Sequence, residues 1–372
     1  MPKDSGFRRI AVTGGGTAGH ILPALELLRV YRREMAADGF FIGCAEGLES
    51  RIVPGRGERL EIVPGLPVAR TTWTGKLAAI PSLSRGIMAA RRLLRREGTQ
   101  VVIGFGGYAS FGGCLAARSL GLPVIVHEAN AAPGLANTIL GKIANRVCVG
   151  FEEAATHFAA AKVVHTGTPC SSAAPSRRSF DPPHRFLVLG GSTGSPHLNR
   201  EAPRVFEILK QRGLEFSVRH IAGSCDVAAI EQDYESRSIE ARVDSFVDDM
   251  RGAYAEADFA ISCAGGLTLA ELASAGLPAL LVPLSSASQN HQIPNAGAYA
   301  AYTGVSWVAE NEWNAQEQAE GIERMFAQPA LMREIGARTL QWAVRDAAHR
   351  VIQVCEETLG HSEKRARSTA RG

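Results

Sequence analysis

The sequence predicts an α/β protein made of two doubly wound, parallel-sheet domains. Three observations predict it. Short β-rich runs bounded by glycine alternate with longer helical patterns along all 372 residues. A glycine turn directly follows the opening strand of each half, in VTGGGTAG at 12–19 and LVLGGSTGS at 187–195. The stretch CSSAAPSRRSFDPPHR at 170–185 is rich in Pro, Ser and Arg and reads as a linker between the halves. The boundaries that follow are 1–169 for an N-terminal domain, 170–184 for the linker, 185–345 for a C-terminal domain, and 346–372 for a C-terminal helix and basic tail. A chain that is 45% apolar can bury a core in each.

In the first half the apolar runs RRIAVTG, FFIGC, VVIGF, PVIVHE and RVCVG read as strands, because a strand covered on both faces is apolar without alternation. Helical patterns fill the gaps at 20–36, 82–97, 110–120 and 133–144. In the second half RFLVL, FSVRHIAG, VDSFV, ADFAISCAGG, PALLVPL and GVSWVAE read as strands, with helices near 197–212, 267–275, 289–301 and 315–327. The tail EKRARSTARG is basic, and its composition predicts disorder. In such an architecture a ligand is expected outside the carboxyl ends of the strands, between the two halves.

Composition narrows the chemistry. Seven cysteines are scattered and form no C-x-x-C pair, which predicts a reducing compartment and neither a zinc ribbon nor a disulfide framework. The opening MPKDSGFRRIAV lacks the apolar core of a signal peptide, so a cytosolic location is expected. The formal charge of +3 makes any basic feature local. One exists at 70–97, where Trp73, Leu77, Ile80, Leu83, Ile87 and Met88 mix with Arg70, Lys76, Arg85, Arg91, Arg92, Arg95 and Arg96, against the single acid Glu97. That pattern suits either a solvated helix covering a sheet or an anionic membrane surface. Nucleic acid is not expected, since stacking aromatics do not interleave with the bases.

Gly14, Gly16 and Gly19 fit G-x-G-x-x-G, and backbone N–H groups there would face an anion. A dinucleotide site also needs an acid closing the second strand for the ribose, and Glu46 is displaced past Gly43 and Cys44. NAD(P) is therefore poorly supported. His20, in the first helical turn, is kept from carrying charge by the helix dipole and suits a proton acceptor. A histidine satisfied by local backbone is the other reading.

Taken together, GGGTAGHILPAL, GFGGYAS at 104–110, HEANAAPGLAN at 127–137, LGGSTGS at 189–195, FVDDM at 246–250, AGGLTLAELASAGLPALLVPL at 264–284 and NHQIPNA at 290–296 resemble, in order, the MurG family of glycosyltransferases. The resemblance implies a GT-B fold of two Rossmann-like domains facing a cleft. It also implies an inverting, metal-independent transfer of GlcNAc from UDP-GlcNAc to the MurNAc 4-hydroxyl of a polyprenyl-diphosphate-linked acceptor, without a cofactor, by a peripheral protein on the cytoplasmic face of the membrane. Two alternatives stay open: a specialised transferase using a UDP-sugar on another lipid-linked acceptor, and a non-catalytic membrane-associated scaffold.

The same resemblance distributes the site residues. His20 is the first candidate for the base and Glu128 the second, though Glu128 can instead brace a loop. Gly15, Gly16, Gly106, Gly107 and Tyr108 are expected on the acceptor diphosphate. Thr17, Ala18, Gly19, Asn130, Ser192, Val247, Gly266, Leu267, Thr268, Leu269, Ala270, Glu271 and Gln292 are expected on the donor and sugars, with Glu271 accepting from the ribose hydroxyls and Gln292 both donating to and accepting from the transferred sugar. The chain departs from the family in two places. Thr168 and Ser171 replace the asparagine and arginine of a Gly-Asn-Pro-x-Arg motif, and Cys263 stands where an arginine is usual. Two fixed charges opposite a diphosphate are thus missing unless Arg177 and Arg178 replace them, and each such contact is worth about 1.5–3 kcal/mol.

Overall fold

The structure is a computed structural model that describes residues 9–35, 37–64, 73–171, 180–284 and 291–369. The chain divides into two compact units, Met1–Cys170 with Asp346–Gly372, and Ser171–Arg345.

The first unit holds a seven-stranded, all-parallel sheet. Its strands are β1 (Arg9–Thr13), β2 (Asp38–Gly43), β3 (Leu60–Ile62), β4 (Val101–Gly104), β5 (Val124–Glu128), β6 (Arg146–Val149) and β7 (Val163–His165), in the order β3-β2-β1-β4-β5-β6-β7. Helices α1 (Ala18–Met35), α2 (Glu49–Gly55), α3 (Trp73–Arg96), α4 (Ala109–Ser119) and α5 (Leu135–Ile143) connect them. Along β1 the side chains alternate between two cores. Ile10 and Val12 enter one with Ile21, Leu25 and Leu28 of α1, and Ala11 enters the other with Leu94 of α3 and Cys114 and Ala117 of α4. Each fully buried Ile or Val contributes roughly 1.5–3 kcal/mol, so the central strands anchor the unit.

The segment 346–372, expected as a C-terminal helix and basic tail, groups with this unit. Helix α13, to be numbered last along the chain, spans Ala347–Thr369, and Val351, Ile352 and Cys355 join the core that α1 faces. Its basic end, expected to be disordered, continues the helix to Thr369. Glu, Lys, Arg and Ala are strong helix formers, and extending a nucleated helix costs little.

The second unit holds a six-stranded parallel sheet, β10-β9-β8-β11-β12-β13. Its strands are β8 (His184–Leu189), β9 (Phe216–Ile221), β10 (Ala241–Asp244), β11 (Phe259–Ser262), β12 (Ala279–Leu281) and β13 (Ser306–Trp307). The helices are α6 (Pro196–Gln211), α7 (Val227–Ser236), α8 (Met250–Glu256), α9 (Gly266–Ala275), α10 (Gln292–Thr303), α11 (Ala315–Phe326) and α12 (Pro329–Trp342). Phe186 is the hub of the core, with the rings of Phe206, Phe216, Phe259 and Phe326 meeting it edge-on at 5.0–6.0 Å.

Two expectations are corrected here. VDSFV is a strand only over Val243 and Asp244: β10 begins earlier, at Ala241, and ends at Asp244, and Phe246 beyond it is 50% exposed. The linker does not run to 184, because Phe180 is buried in the second core and His184 opens β8. Residues 172–179 of that segment, with Arg177 and Arg178, lie outside the described residues, as do Arg70 and the side chains of Trp73, Lys76, Leu77 and Ile80.

Both sheets reverse strand order once, between β1 and β4 in the first unit and between β8 and β11 in the second. Loops at such a switch point diverge to opposite faces and leave a crevice at the carboxyl ends of the strands. The four loops concerned are the two glycine turns and their neighbours.

Candidate active site

In the first unit the turns after β1 and β4 are laced together. The Phe105 amide donates to the Thr13 carbonyl at 2.8 Å and the Gly15 amide to the Gly106 carbonyl at 3.3 Å. This approach requires glycine at 107, where φ is +74° and a Cβ would lie 2.2 Å from the Gly15 oxygen. Gly16 is exposed at φ +84°, and Tyr108 is 48% exposed just before α4.

Ala18, Gly19 and His20 form the first turn of α1. His20 Nδ1 lies 2.9 Å from the Gly15 carbonyl oxygen and 3.3 Å from Thr17 Oγ1. A carbonyl only accepts, so Nδ1 carries a proton, and the tautomer this selects has its lone pair at Nε2. That atom faces Gly106, at which a Cβ would lie 3.1 Å from Nε2 and 3.2 Å from Asn137 Nδ2. The glycine at 106 therefore gives the ring its room.

Glu128 is 2% exposed and its acceptor positions are occupied. Oε1 accepts from the Asn130 amide and Asn130 Nδ2, both at 2.9 Å, while Oε2 accepts from the Gly134 amide at 3.1 Å and Asn137 Nδ2 at 2.9 Å. This geometry is that of a loop brace and not of a base. Asn130 is correspondingly tied to Glu128. Behind it, His127 donates through Nε2 to the Gly167 carbonyl at 3.0 Å and stacks on Phe105, and burial pushes its pKa down.

The acid near the end of β2 is Glu49 and not the exposed Glu46. It is turned inward with no exposure, and Oε1 accepts from the Cys44 amide and thiol at 3.1 and 3.0 Å. Burial together with this carboxylate pushes the Cys44 thiol up to about 12. A Cβ at Gly15, Gly43 or Gly47 would come within 2.3–2.8 Å of the Glu49 side chain, so three glycines make room for it. A carboxylate so enclosed cannot reach a ribose, which removes the second requirement of a dinucleotide site.

In the second unit the turn after β8 exposes Ser192, while Gly191 and Gly194 adopt φ +79° and +80°. Gly194 and Gly223 pack backbone to backbone, since a Cβ at Gly223 would lie 2.2 Å from the Gly194 nitrogen. A buried chain of polar groups supports this contact. Asn199 Nδ2 donates to the Ala222 carbonyl at 3.1 Å, which turns Oδ1 to His220 Nε2 at 3.0 Å, and His220 Nδ1 accepts from the Tyr234 hydroxyl at 3.0 Å. Burial lowers the His220 pKa to about 4.

Helix α9 begins at Gly266 with Gly265 as its N-cap and no side-chain cap bond, so its first amides are available to an anion. Leu267, Leu269 and Ala270 are buried in the core, and only their backbone can meet a ligand. Thr268 and Glu271 are half-buried, and Glu271 Oε2 accepts from the Tyr254 hydroxyl at 2.9 Å. Val247 is half-buried just beyond β10. Gln292 Oε1 accepts from the amides of Ala264 and Leu284, both at 3.0 Å. That fixes the amide orientation and leaves Nε2, so Gln292 offers a donor, not the donor-and-acceptor expected. Cys263 is 2% exposed beneath Gly191, with burial raising its pKa, so position 263 supplies no charge. Thr168, at the other departure, is 5% exposed and packed against Gly150.

Sequence reasoning missed Glu49, Asn137, His220 and Tyr254. Glu49 was signalled by the glycines at 43 and 47 that frame it. Nothing local marked the others, because these partners lie 9–21 residues away.

Residues 10–149 match the glycosyltransferase family 28 N-terminal domain, and residues 185–351 match the family 28 C-terminal domain. A relative from Methylococcus capsulatus, named UDP-N-acetylglucosamine–N-acetylmuramyl-(pentapeptide) pyrophosphoryl-undecaprenol N-acetylglucosamine transferase, is 36% identical over 95% of this chain and 99% of its own. The crystal structure of Acinetobacter baumannii MurG superposes with a TM-score of 0.75 at 27% identity, covering 94% of this chain and 99% of that one. At 10% identity, the UDP-GlcNAc 2-epimerase of Neisseria meningitidis shares the fold alone, with a TM-score of 0.67 over 94% of this chain and all of that one. With both of its domains matched in order, the chain belongs to glycosyltransferase family 28 and has the GT-B fold.

Proposed function

We propose that the protein transfers GlcNAc from UDP-GlcNAc to the MurNAc 4-hydroxyl of undecaprenyl-diphosphate-linked MurNAc-pentapeptide, with inversion and without a metal. The observation that carries the reading is His20, held by the Gly15 carbonyl so that Nε2 presents a lone pair between two glycine turns. Relatives named for this transfer, 35–36% identical over 92–95% of the chain, support the substrates.

In this reading the acceptor diphosphate rests on the amides of Gly15, Gly16, Gly106 and Gly107, with Tyr108 beside it. His20 Nε2 takes the proton of the acceptor hydroxyl while its oxygen bonds to the anomeric carbon. The bond from that carbon to the UDP oxygen breaks, and the electron pair leaves with UDP. The charge gained by UDP is met by the first amides of α9 and the Ser192 turn. Gln292 donates to a hydroxyl of the transferred sugar, Val247 packs beside the nucleotide, and Glu271 accepts from the ribose. Glu128 holds Asn130 in place and takes no proton. Among the described residues no helix is long and apolar enough to cross a membrane. Exposed Arg85, Arg92, Arg95 and Met88 on α3, with Leu135 and Ile139 on α5, support peripheral attachment to an anionic surface, at about 1 kcal/mol per base.

Purified protein, radiolabelled UDP-GlcNAc and a lipid I analogue provide the test. Wild-type chain transfers label, and His20→Ala lowers kcat by roughly 10²–10⁴ with little change in KM. Unchanged turnover in that variant removes His20 as the base. Absence of both transfer and UDP binding leaves the non-catalytic scaffold. The uncharged Cys263 favours one further reading, a changed donor, and transfer from another UDP-sugar in preference to UDP-GlcNAc establishes it.

A further inference from the structure

Tyr254 lies on α8 with 2% of its surface exposed, and its hydroxyl donates to Glu271 Oε2 at 2.9 Å. Glu271 is half-buried on α9, the helix that leaves the β8/β11 switch point with uncapped amides. We propose that Tyr254 is a positioning residue. It sets the plane of the Glu271 carboxylate so that this accepts both hydroxyls of a ribose cis-diol, and it thereby makes the donor site selective for ribonucleotides over 2′-deoxyribonucleotides. The proposal rests on the donor-nucleotide reading above and adds to it a residue and a selectivity.

A glutamate on a helix surface has free rotation about its terminal torsion, and a carboxylate whose plane wanders meets one hydroxyl of a diol well and the other badly. A phenol packed into the core has one orientation, and its hydrogen bond transfers that orientation to the carboxylate. A carboxylate only accepts and so matches the two O–H donors of a diol. Tyr254 is buried, so it touches no nucleotide itself and acts through Glu271.

Calorimetric titration of UDP and 2′-deoxy-UDP into the full chain tests this, with thermal unfolding recorded for each variant. Wild type is expected to prefer UDP by about tenfold, the worth of one charge-assisted hydrogen bond. Tyr254→Phe is expected to lose about fivefold in UDP affinity and almost none for the deoxy compound, so the preference collapses toward one. Glu271→Asp keeps the charge but withdraws it from the tyrosine by one methylene, and is expected to lose the preference equally, whether or not Tyr254→Phe folds. In a Glu271→Asp background, Tyr254→Phe is expected to add nothing. Either single variant keeping the wild-type ratio overturns the proposal. Equal wild-type affinity for the two nucleotides overturns it while leaving the donor reading intact, whereas a folded wild type that binds neither overturns both.

Discussion

The buried His220 makes the second unit acid-sensitive by an amount that can be worked out. Its ring donates to Asn199 Oδ1 and accepts from the Tyr234 hydroxyl, so the fold holds it neutral, and its pKa falls to about 4. In the unfolded chain the value returns to about 6.5. A base whose folded pKa is depressed contributes fully above the unfolded pKa. That contribution is lost as pH falls from about 6.5 toward 4, because the unfolded state takes up the proton first. At 1.36 kcal/mol per pKa unit the whole loss is about 3 kcal/mol, of which about 2 kcal/mol is gone by pH 5. His220→Gln keeps one donor and one acceptor but has no proton to gain. Urea unfolding followed by tryptophan fluorescence reports largely on this unit, which holds Trp307, Trp313 and Trp342 while Trp73 lies in the other. Between pH 7 and pH 5 the wild type is expected to lose about 2 kcal/mol more than His220→Gln. Parallel losses in the two proteins refute the reasoning, because they would show that His220 takes its proton in the fold as readily as outside it.

Two further substitutions separate packing from recognition. Gly107→Ala places a Cβ 2.2 Å from the Gly15 oxygen at φ +74°, so it is expected to cost about 1–3 kcal/mol in unfolding and to lower transfer more than tenfold. Gly121→Ala has nearly the same φ, +75°, but open space around it, so about 1 kcal/mol lost with normal transfer is the matching control. Gln292→Glu keeps the acceptor for the Ala264 and Leu284 amides and replaces the free NH₂. It is expected to fold normally, bind UDP as before, and show a several-fold higher KM for UDP-GlcNAc; an unchanged KM removes Gln292 from the sugar site.

The central strands were legible because strands covered on both faces lose the polar alternation that would otherwise hide them. Ile10, Ala11 and Val12 are all at most 1% exposed, and that burial is what the apolar run encodes. Edge strands β3 and β7 carry no such run, since their residues are only half-buried or exposed, and neither was foreseen. Helices α7 and α8 were missed for a related reason, as each buries only two side chains. VDSFV misled in the other direction. Val243 does belong to the strand, but Phe246 and Val247 lie beyond the last paired residue, Asp244.

The site was legible where a single residue type is physically compulsory and opaque where a role depends on a distant partner. Gly106 and Gly107 could be read as a turn because φ values of +99° and +74° exclude other residues. Gln292 could be placed but not given its polarity, which is set by amides on two other segments. The same division runs through the stretch Gly266–Glu271. Leu269 is wholly buried and serves α9 as core, Gly266 leaves the helix start bare, and Glu271 alone of the six carries a charge outward, with Tyr254 holding it. A motif that looks uniform as a string is therefore two devices in one helix: a packed face that seats the helix, and a start with uncapped amides followed, a little over a turn on, by one carboxylate, the two groups the proposed function assigns to the nucleotide. Changing Leu269 should damage binding only by displacing the helix, whereas changing Glu271 should damage binding with the helix intact.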